Sequence, residues 1–356
     1  MAATLTLIAI KARKVIRYGI IAFVVIVIGR IVLIFAIDVY KKVVPQPPPP
    51  PTVGFGRMAA LPFPDLNIEL PELEFTISTP TGALPAFPPQ LPVYYMPLKT
   101  ATLFSFDKMR KIAGAFGFTR EPRQETDTLY NFTHPTIAAT FKADIVYETF
   151  SLSFNLAADS TPLDTRAPDV QTATSAVTQA LRKADAFPED LSGPVTHEFL
   201  RVEGQNLVRA LALSDAQLTR INLFRKPVVI SEEINYPTVT ANPKEGNIWF
   251  IVSGARDAGK TLIAGEYRYF AMDPTKVETY PVKTADVALE DLKTGRGYIA
   301  NLGLNTSGKV TVREIFLAYY DPNVPYSFYQ PVVVFKGDGE FVAYVPAVTN
   351  KYYGAE

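Results

Sequence analysis

The sequence predicts an α+β protein with one N-terminal transmembrane helix, a proline-rich stalk and an exported body of antiparallel sheets with a few helices. Three observations carry this prediction. A long apolar stretch lies near the start, a run of prolines follows it, and the remainder alternates strand-forming segments with a few segments of helical periodicity. Helices that stand apart from antiparallel strands are typical of the α+β class.

Residues 19–37 form an apolar stretch of 19 residues with a single charge. A helix of this length spans about 28 Å, close to the hydrocarbon thickness of a bilayer. The stretch exceeds the apolar core of a signal peptide and no small-residue cleavage site follows it, which indicates an uncleaved signal-anchor over residues 18–40. Positive charges are concentrated before it, at Lys11, Arg13, Lys14 and Arg17, with Lys41 and Lys42 after it. This asymmetry predicts a single-pass protein of the cell membrane, with a cytoplasmic tail over residues 1–17 and an extracytoplasmic body.

Arg30 is the unusual residue of this span. A charge at the centre of a bilayer costs about 2.5–3.5 kcal/mol on insertion scales. The side chain could snorkel to the outer interface. Alternatively, Gly29 and Arg30 contact a partner helix in the membrane.

Residues 41–97 are predicted to form a proline-rich stalk and an extended arm. The run at residues 45–51 favours polyproline II, which acts as a semi-rigid spacer, and a ligand for an SH3-like domain is the alternative. Residues 52–97 contain strand-forming pieces among the prolines. We interpret these pieces as edge strands laid on the folded body.

The exported body is predicted to comprise two α+β domains, residues 98–230 and 231–356. Apolar periodicity predicts helices over residues 106–118, 168–184 and 284–292. Ser214 and Gln217 form a capping-box pattern, which predicts a further short helix to about residue 220. Strands are expected around them at 128–132, 137–141, 149–156, 195–202, 207–213, 228–230, 247–252, 262–270, 310–320, 330–335 and 341–345. The result is a loose series of helix-plus-meander units rather than a repeat array.

Composition excludes several classes of function. Lys plus Arg and Asp plus Glu number 35 each, so nothing predicts a nucleic-acid partner. Cysteine is absent, which removes thiol nucleophiles and thiolate metal sites. His134 and His197 lie far apart, without metal-ligand spacing or a nucleophile-elbow motif nearby. The adjacent Glu232 and Glu233 favour a solvated turn over an acid/base pair. We therefore expect no enzyme activity, no catalytic residue, no metal and no cofactor.

The sharpest motif lies at residues 254–261, where Gly254, Gly259, Lys260 and Thr261 match G-x-x-x-x-G-K-[ST]. A true phosphate-binding loop requires a helix directly after the motif, so that its N-terminus faces the phosphates. Residues 262–270 instead contain a glycine and several aromatics, which favour a strand. We interpret the motif as a hairpin turn without nucleotide function, in which Lys260 is a solvated charge. The alternative interpretation is an NTPase.

The C-terminal third resembles a known family. The segments that carry the resemblance are YPVKTADVALEDLKTG at 280–295, VTVREIFLAYY at 310–320, YQPVVVF at 329–335 and FVAYVPA at 341–347. Their order resembles the end of the YycH/YycI-type regulators and, more loosely, PepSY-type domains. The chain is also similar to uncharacterised single-pass proteins of small-genome candidate-phylum bacteria. The resemblance implies a bacterial, N-terminally anchored protein whose exported part regulates a membrane sensor kinase or a protease. It implies no catalytic residue.

Two functional hypotheses follow. The first is a single-pass, membrane-anchored extracytoplasmic binding or regulatory protein without catalytic activity, which acts through protein–protein contacts with another membrane or envelope protein. The second is a structural accessory subunit of a larger envelope membrane complex, suggested by the proline-rich arm. An exported hydrolase is a third class, for which the sequence offers no candidate nucleophile.

Overall fold

The computed structural model describes residues 2–43, 49–65 and 70–354, with side chains described from residue 17 to 40 in the first helix. The chain divides into two compact units, Met1–Pro50 and Pro51–Glu356. Most of the predicted polyproline run, residues 45–48, lies outside the described residues.

The first unit contains helix α1, Ala2–Val43. Its segment Arg17–Tyr40 is long and apolar enough to cross a bilayer, and an 18-residue window within it has a mean hydropathy of 3.1. By length and composition this segment is a candidate membrane span.

The second unit has α+β architecture, with largely antiparallel sheets. Its α-helices are α2 Ser105–Ala115, α3 Val170–Lys183, α4 Ala258–Thr261 and α5 Ala285–Lys293. Its strands are β1 Glu74–Ile77, β2 Gln90–Tyr95, β3 Arg123–Gln124, β4 Leu129–Thr133, β5 Ala139–Asp144, β6 Thr149–Phe154, β7 Val195–Glu203, β8 Asn206–Arg209, β9 Leu218–Leu223, β10 Val228–Val229, β11 Asn235–Tyr236, β12 Thr238–Val239, β13 Ile248–Ser253, β14 Leu262–Tyr267, β15 Asp273–Pro281, β16 Tyr298–Asn301, β17 Lys309–Tyr320, β18 Phe328–Tyr329, β19 Pro331–Gly337 and β20 Val342–Pro346.

A nine-stranded antiparallel sheet has the order β3-β4-β5-β6-β14-β13-β9-β7-β8. The β13–β14 hairpin therefore lies between two groups of strands that precede it in the chain. Helices α2 and α3 pack on this sheet through Met109, Ile112, Val177 and Leu181, all of which are buried. Strands from both sides of residue 230 belong to the sheet, and the domain boundary between residues 230 and 231 stays a prediction.

A six-stranded sheet has the order β1-β17-β19-β20-β16, with β12 also paired to β17, and α5 packs against β20. A three-stranded sheet has the order β15-β2-β18. The extended arm contributes to both sheets. Strand β1 pairs in parallel with β17 at the edge of the six-stranded sheet, as predicted for the arm. Strand β2 instead lies at the centre of the three-stranded sheet, between β15 and β18, so it is not an edge strand.

The helix predicted after Ser214 is absent from this described segment, and that prediction was wrong. Leu213–Asp215 is a single 3₁₀ turn, and β9 begins at Leu218. The side chain of Gln217 accepts a hydrogen bond from the backbone N–H of Val202 at 2.9 Å instead of capping a helix. Pairing of β9 with both β13 and β7 overrides the local capping pattern.

A buried arginine joins the two large sheets. Arg225 follows β9, is 2% exposed, and donates from Nε to Asp321 Oδ1 at 2.9 Å. It also donates from Nη1 to Asp190 Oδ2 at 2.9 Å and from Nη2 to the carbonyl oxygen of Phe270. Its guanidinium lies 4.4 Å from the ring centroid of Tyr269. Because Asp321 follows β17, this ion pair connects the nine-stranded sheet to the six-stranded sheet.

Candidate functional site

The segment that matches the phosphate-binding motif joins two antiparallel strands. Strands β13 and β14 pair directly, and between them α4 provides a single helical turn. The aspartate before this turn, Asp257, accepts a hydrogen bond from Gly259 N at 3.0 Å. A long helix therefore does not follow the motif, and the absence of nucleotide binding stays a prediction.

The lysine of this motif is paired within the protein. Lys260 Nζ lies 2.7 Å from Asp159 Oδ2 and donates to Thr161 Oγ1 at 2.9 Å. Hydrogen bonds from Lys260 and Thr161 lower the pKa of Asp159 to about 2. The hydroxyl of Thr261 donates to the Asp257 carbonyl at 3.1 Å. The prediction of a solvated Lys260 was therefore wrong, because residues far away in sequence supply a carboxylate beside it.

A cavity of about 400 Å³ lies beside this hairpin loop. Its walls are the C-terminal end of α2, one face of α3, the turn between β4 and β5, and the hairpin loop itself, and we call it the α2–α3 cavity. Small residues leave the space open, namely Ala115, Gly117, Ala176, Ala180, Ala258 and Gly259. The cavity thus brings together His134 and the motif loop, which the sequence had singled out separately.

His134 is held in one orientation by the backbone of its own turn. Its Nδ1 accepts hydrogen bonds from the backbone N–H groups of Thr136 and Ile137 at 3.2 and 3.3 Å. Nδ1 is therefore unprotonated and Nε2 carries the hydrogen. Burial is the main cause that lowers the pKa of His134, so the ring is neutral at pH 7. The Phe118 ring meets the imidazole edge-on, with 5.4 Å between centroids.

Glycine next to this ring is required by space and by backbone conformation. Gly117 has φ +94°, and a Cβ added there would lie 2.9 Å from His134 Nε2. A Cβ at Gly259 would lie 3.8 Å from the same atom. Both glycines therefore leave the Nε2 side of the imidazole uncovered.

One face of α3 forms the opposite wall. Ala176, Gln179, Ala180 and Lys183 recur at helical spacing and line the cavity. Gln179 and Lys183 are exposed, which places their polar ends at the rim. Among the described residues Lys183 forms no ion pair. The cavity therefore has apolar walls, a neutral imidazole and a cationic rim.

The structure does not bring the other predicted residues to this site. His197 lies on β7, exposed, with its ring 5.0 Å from that of Phe199. Glu232 and Glu233 lie in an exposed turn between β10 and β11. In the described part of the chain, no three His, Cys, Asp or Glu side chains are grouped as a metal site requires.

Gly29 and Arg30 lie on α1, in the candidate span. No other described atom comes within 4 Å of the Cβ position at Gly29, outside the helix backbone itself. Contact of these two residues with a partner helix stays a prediction.

No family model and no curated protein matches the sequence. Solved structures that share part of the arrangement include an uncharacterised protein from Eubacterium rectale, with a TM-score of 0.40 and 13% identity over 80% of this chain and 91% of that chain. The Bacillus megaterium YpeB C-terminal domain has a TM-score of 0.31 and 12% identity over 71% of this chain and 95% of that domain. Structural similarities at these TM-scores support no conclusion about family or function. The resemblance to YycH/YycI-type regulators stays a prediction.

Proposed function

We propose that the protein is a single-pass, membrane-anchored extracytoplasmic binding or regulatory protein without catalytic activity, and that its partner is another membrane or envelope protein. The observation that carries this proposal is the apolar segment Arg17–Tyr40, long and apolar enough to cross a membrane, ahead of a compact folded unit. A chain with this order of parts holds its folded unit at a membrane surface, where it meets other membrane proteins at high effective concentration.

Charge asymmetry supports the proposed orientation. Three basic residues precede the apolar segment within a short distance, Arg17 begins it, and two basic residues follow it. Cytoplasmic flanks of membrane helices carry the excess of lysine and arginine. The folded unit is accordingly assigned to the extracytoplasmic side.

The geometry around His134 supports a non-catalytic role. A histidine acts as a general base when a free ring nitrogen meets the hydroxyl of a nucleophile. Here Nδ1 is used by the backbone of the turn. Thr261, the hydroxyl residue of the same cavity, donates its hydrogen to carbonyl groups of its own loop.

The alternative function is a structural accessory subunit of a larger envelope complex. An extended arm that lies on a neighbouring protein would favour this role. Strands β1 and β2 of the arm instead pair with β17, β15 and β18 of the same chain. These pairings favour the binding or regulatory role.

The direct test determines the membrane topology by cysteine labelling. Because the sequence contains no cysteine, a single introduced cysteine is the only thiol of the protein that can be labelled. Single-cysteine variants Thr4→Cys and Ser175→Cys are expressed in cells, and intact spheroplasts are treated with a membrane-impermeant maleimide. Ser175 is an exposed position on α3, so Ser175→Cys should react in intact spheroplasts. Thr4→Cys should react only after lysis.

The control removes the charge asymmetry by replacing Lys11, Arg13, Lys14 and Arg17 with glutamine. This variant should lose the fixed orientation, so that a fraction of Ser175→Cys becomes protected in intact spheroplasts. Complete protection of Ser175→Cys in the parent chain would overturn the proposed function.

A further inference from the structure

We propose that the α2–α3 cavity binds a small organic acid, with the apolar body of the ligand inside the cavity and its carboxylate held by His134 and Lys183. This ligand site goes beyond the proposed protein–protein function and does not rest on it.

The size and the walls of the cavity fit a small molecule. Its volume of about 400 Å³ falls within the range of about 300–1,000 Å³ that is typical of ligand pockets. The lining includes Phe116, Phe118, Ile137, Leu152 and Leu262. Apolar walls of this kind favour a hydrocarbon or aromatic body, because transfer of that body out of water is favourable.

The polar groups of the cavity select the charge of the ligand. His134 Nε2 carries a hydrogen, and this atom donates no hydrogen bond to any described residue. Lys183 contributes a cation at the rim, and the Gln179 amide can also donate. These groups all donate hydrogen bonds, and a carboxylate only accepts them.

The described lining of the cavity contains no acidic side chain, which disfavours a cationic ligand. No aspartate or glutamate lines the cavity. Asp257 and Arg120 are the charged groups that influence the pKa of His134, which the Asp257 carboxylate raises and the Arg120 guanidinium lowers. Asp257 Oδ1 accepts from Gly259 N and Arg120 donates to the Pro135 carbonyl, so both are partnered within the protein.

The test measures protection of a cysteine at the rim of the cavity. The full chain carrying Gln179→Cys is reconstituted in nanodiscs and alkylated with iodoacetamide, and mass spectrometry gives the rate. The probe is 3-phenylpropionate, which combines an aromatic body with a carboxylate. At ten times its dissociation constant a ligand leaves about one site in eleven free, so alkylation should slow about tenfold. Ser175→Cys, at an exposed position of the same helix that does not line the cavity, should react at an unchanged rate.

Two variants and one analogue test the polar contacts. His134→Asn keeps an acceptor for the backbone N–H of Thr136 but removes the Nε2–H donor, so half-protection should need about ten times more ligand. Lys183→Met should raise that concentration about two- to fivefold. The neutral amide 3-phenylpropanamide should protect weakly. Thermal unfolding verifies that each variant is folded as the parent is.

Three results would each overturn the proposal. They are the absence of protection of Gln179→Cys by the acid, equal slowing of Ser175→Cys, and equal protection by the acid and the amide. None of them depends on the orientation of the chain in the membrane, so failure here leaves the topology experiment unaffected.

Discussion

Replacing Arg225 by alanine should destabilise the folded unit strongly. The substitution removes three hydrogen bonds that Arg225 donates and leaves the buried carboxylate of Asp321 without its cation. Removal of one partner from a buried ion pair costs about 3–5 kcal/mol, because the remaining charge stays out of water. Asp190 is partly exposed and keeps its hydrogen bond from Tyr269 at 2.7 Å. The loss of its ion pair with Arg225 should therefore lower the free energy of unfolding less than the loss of the pair with Asp321.

The measurement is urea unfolding of the full chain in nanodiscs, followed by fluorescence of Trp249, the single tryptophan. Because Trp249 lies on β13 in the nine-stranded sheet, its signal reports the unit that Arg225 holds together. Arg268→Ala is the matched control: its ion pair with Glu266 is partly exposed to solvent, and its loss should cost about 0–1 kcal/mol.

The dependence on pH sharpens this prediction. Burial is the largest cause that raises the pKa of Asp321, and Arg225 opposes it. Without the arginine that pKa should rise further, so Asp321 binds a proton more readily in the folded state than in the unfolded state. The Arg225→Ala variant should therefore recover part of its stability as pH is lowered from 7 to 5. A cost no larger than that of Arg268→Ala, at every pH, would refute the reasoning.

Two further predictions concern the surroundings of the α2–α3 cavity. The pKa of Asp159 is lowered to about 2 by its hydrogen bond from Lys260, so this contribution to stability is present above the usual carboxylate pKa and is lost as pH falls through about 2. Lys260→Met should lower the urea midpoint at pH 6, and its difference from the parent should shrink steadily between pH 4 and pH 2; a constant difference would contradict this. Gly117→Ala should cost about 1–2 kcal/mol, because a Cβ is strained at φ +94° and meets His134. Gly114→Ala, at an open helical position, should instead stabilise by about 0.5–1 kcal/mol in the same titration, and similar effects at both glycines would argue against the proposed strain.

Local sequence patterns were sufficient to predict most of the helices and strands. The apolar spacing in α3 and α5 matches their buried faces, and the meander of β17, β19 and β20 follows its β-branched and aromatic runs. The α+β class follows from these elements. The misplaced helix after Ser214 shows the limit, because β9 is buried on both faces and lacks the alternation that marks a half-exposed strand.

The candidate site was only partly predictable. His134 and the hairpin motif were visible as residues, but their proximity depends on how β5, β6, β14 and β13 are ordered in one sheet. Lys183 resembles any solvated lysine at the end of a helix. The cavity itself arises from small side chains on separate elements. The spacing of residues within any one segment therefore does not predict it. Likewise, nothing near Arg225 in sequence indicates a buried cation, because Asp321 comes from another sheet.

The pairing of the arm has a consequence for how the protein is made. Strand β1 pairs with β17 and β2 with β15 and β18, all in the last third of the chain. The Tyr280 hydroxyl, for example, donates to the carbonyl of Gly56 across a separation of 224 residues. At a synthesis rate of about 5–20 residues per second, the arm waits about 10–45 s for such partners. Until the last third of the chain has been made, β1 and β2 lack their strand partners, and unpaired strands of this kind can pair with other chains.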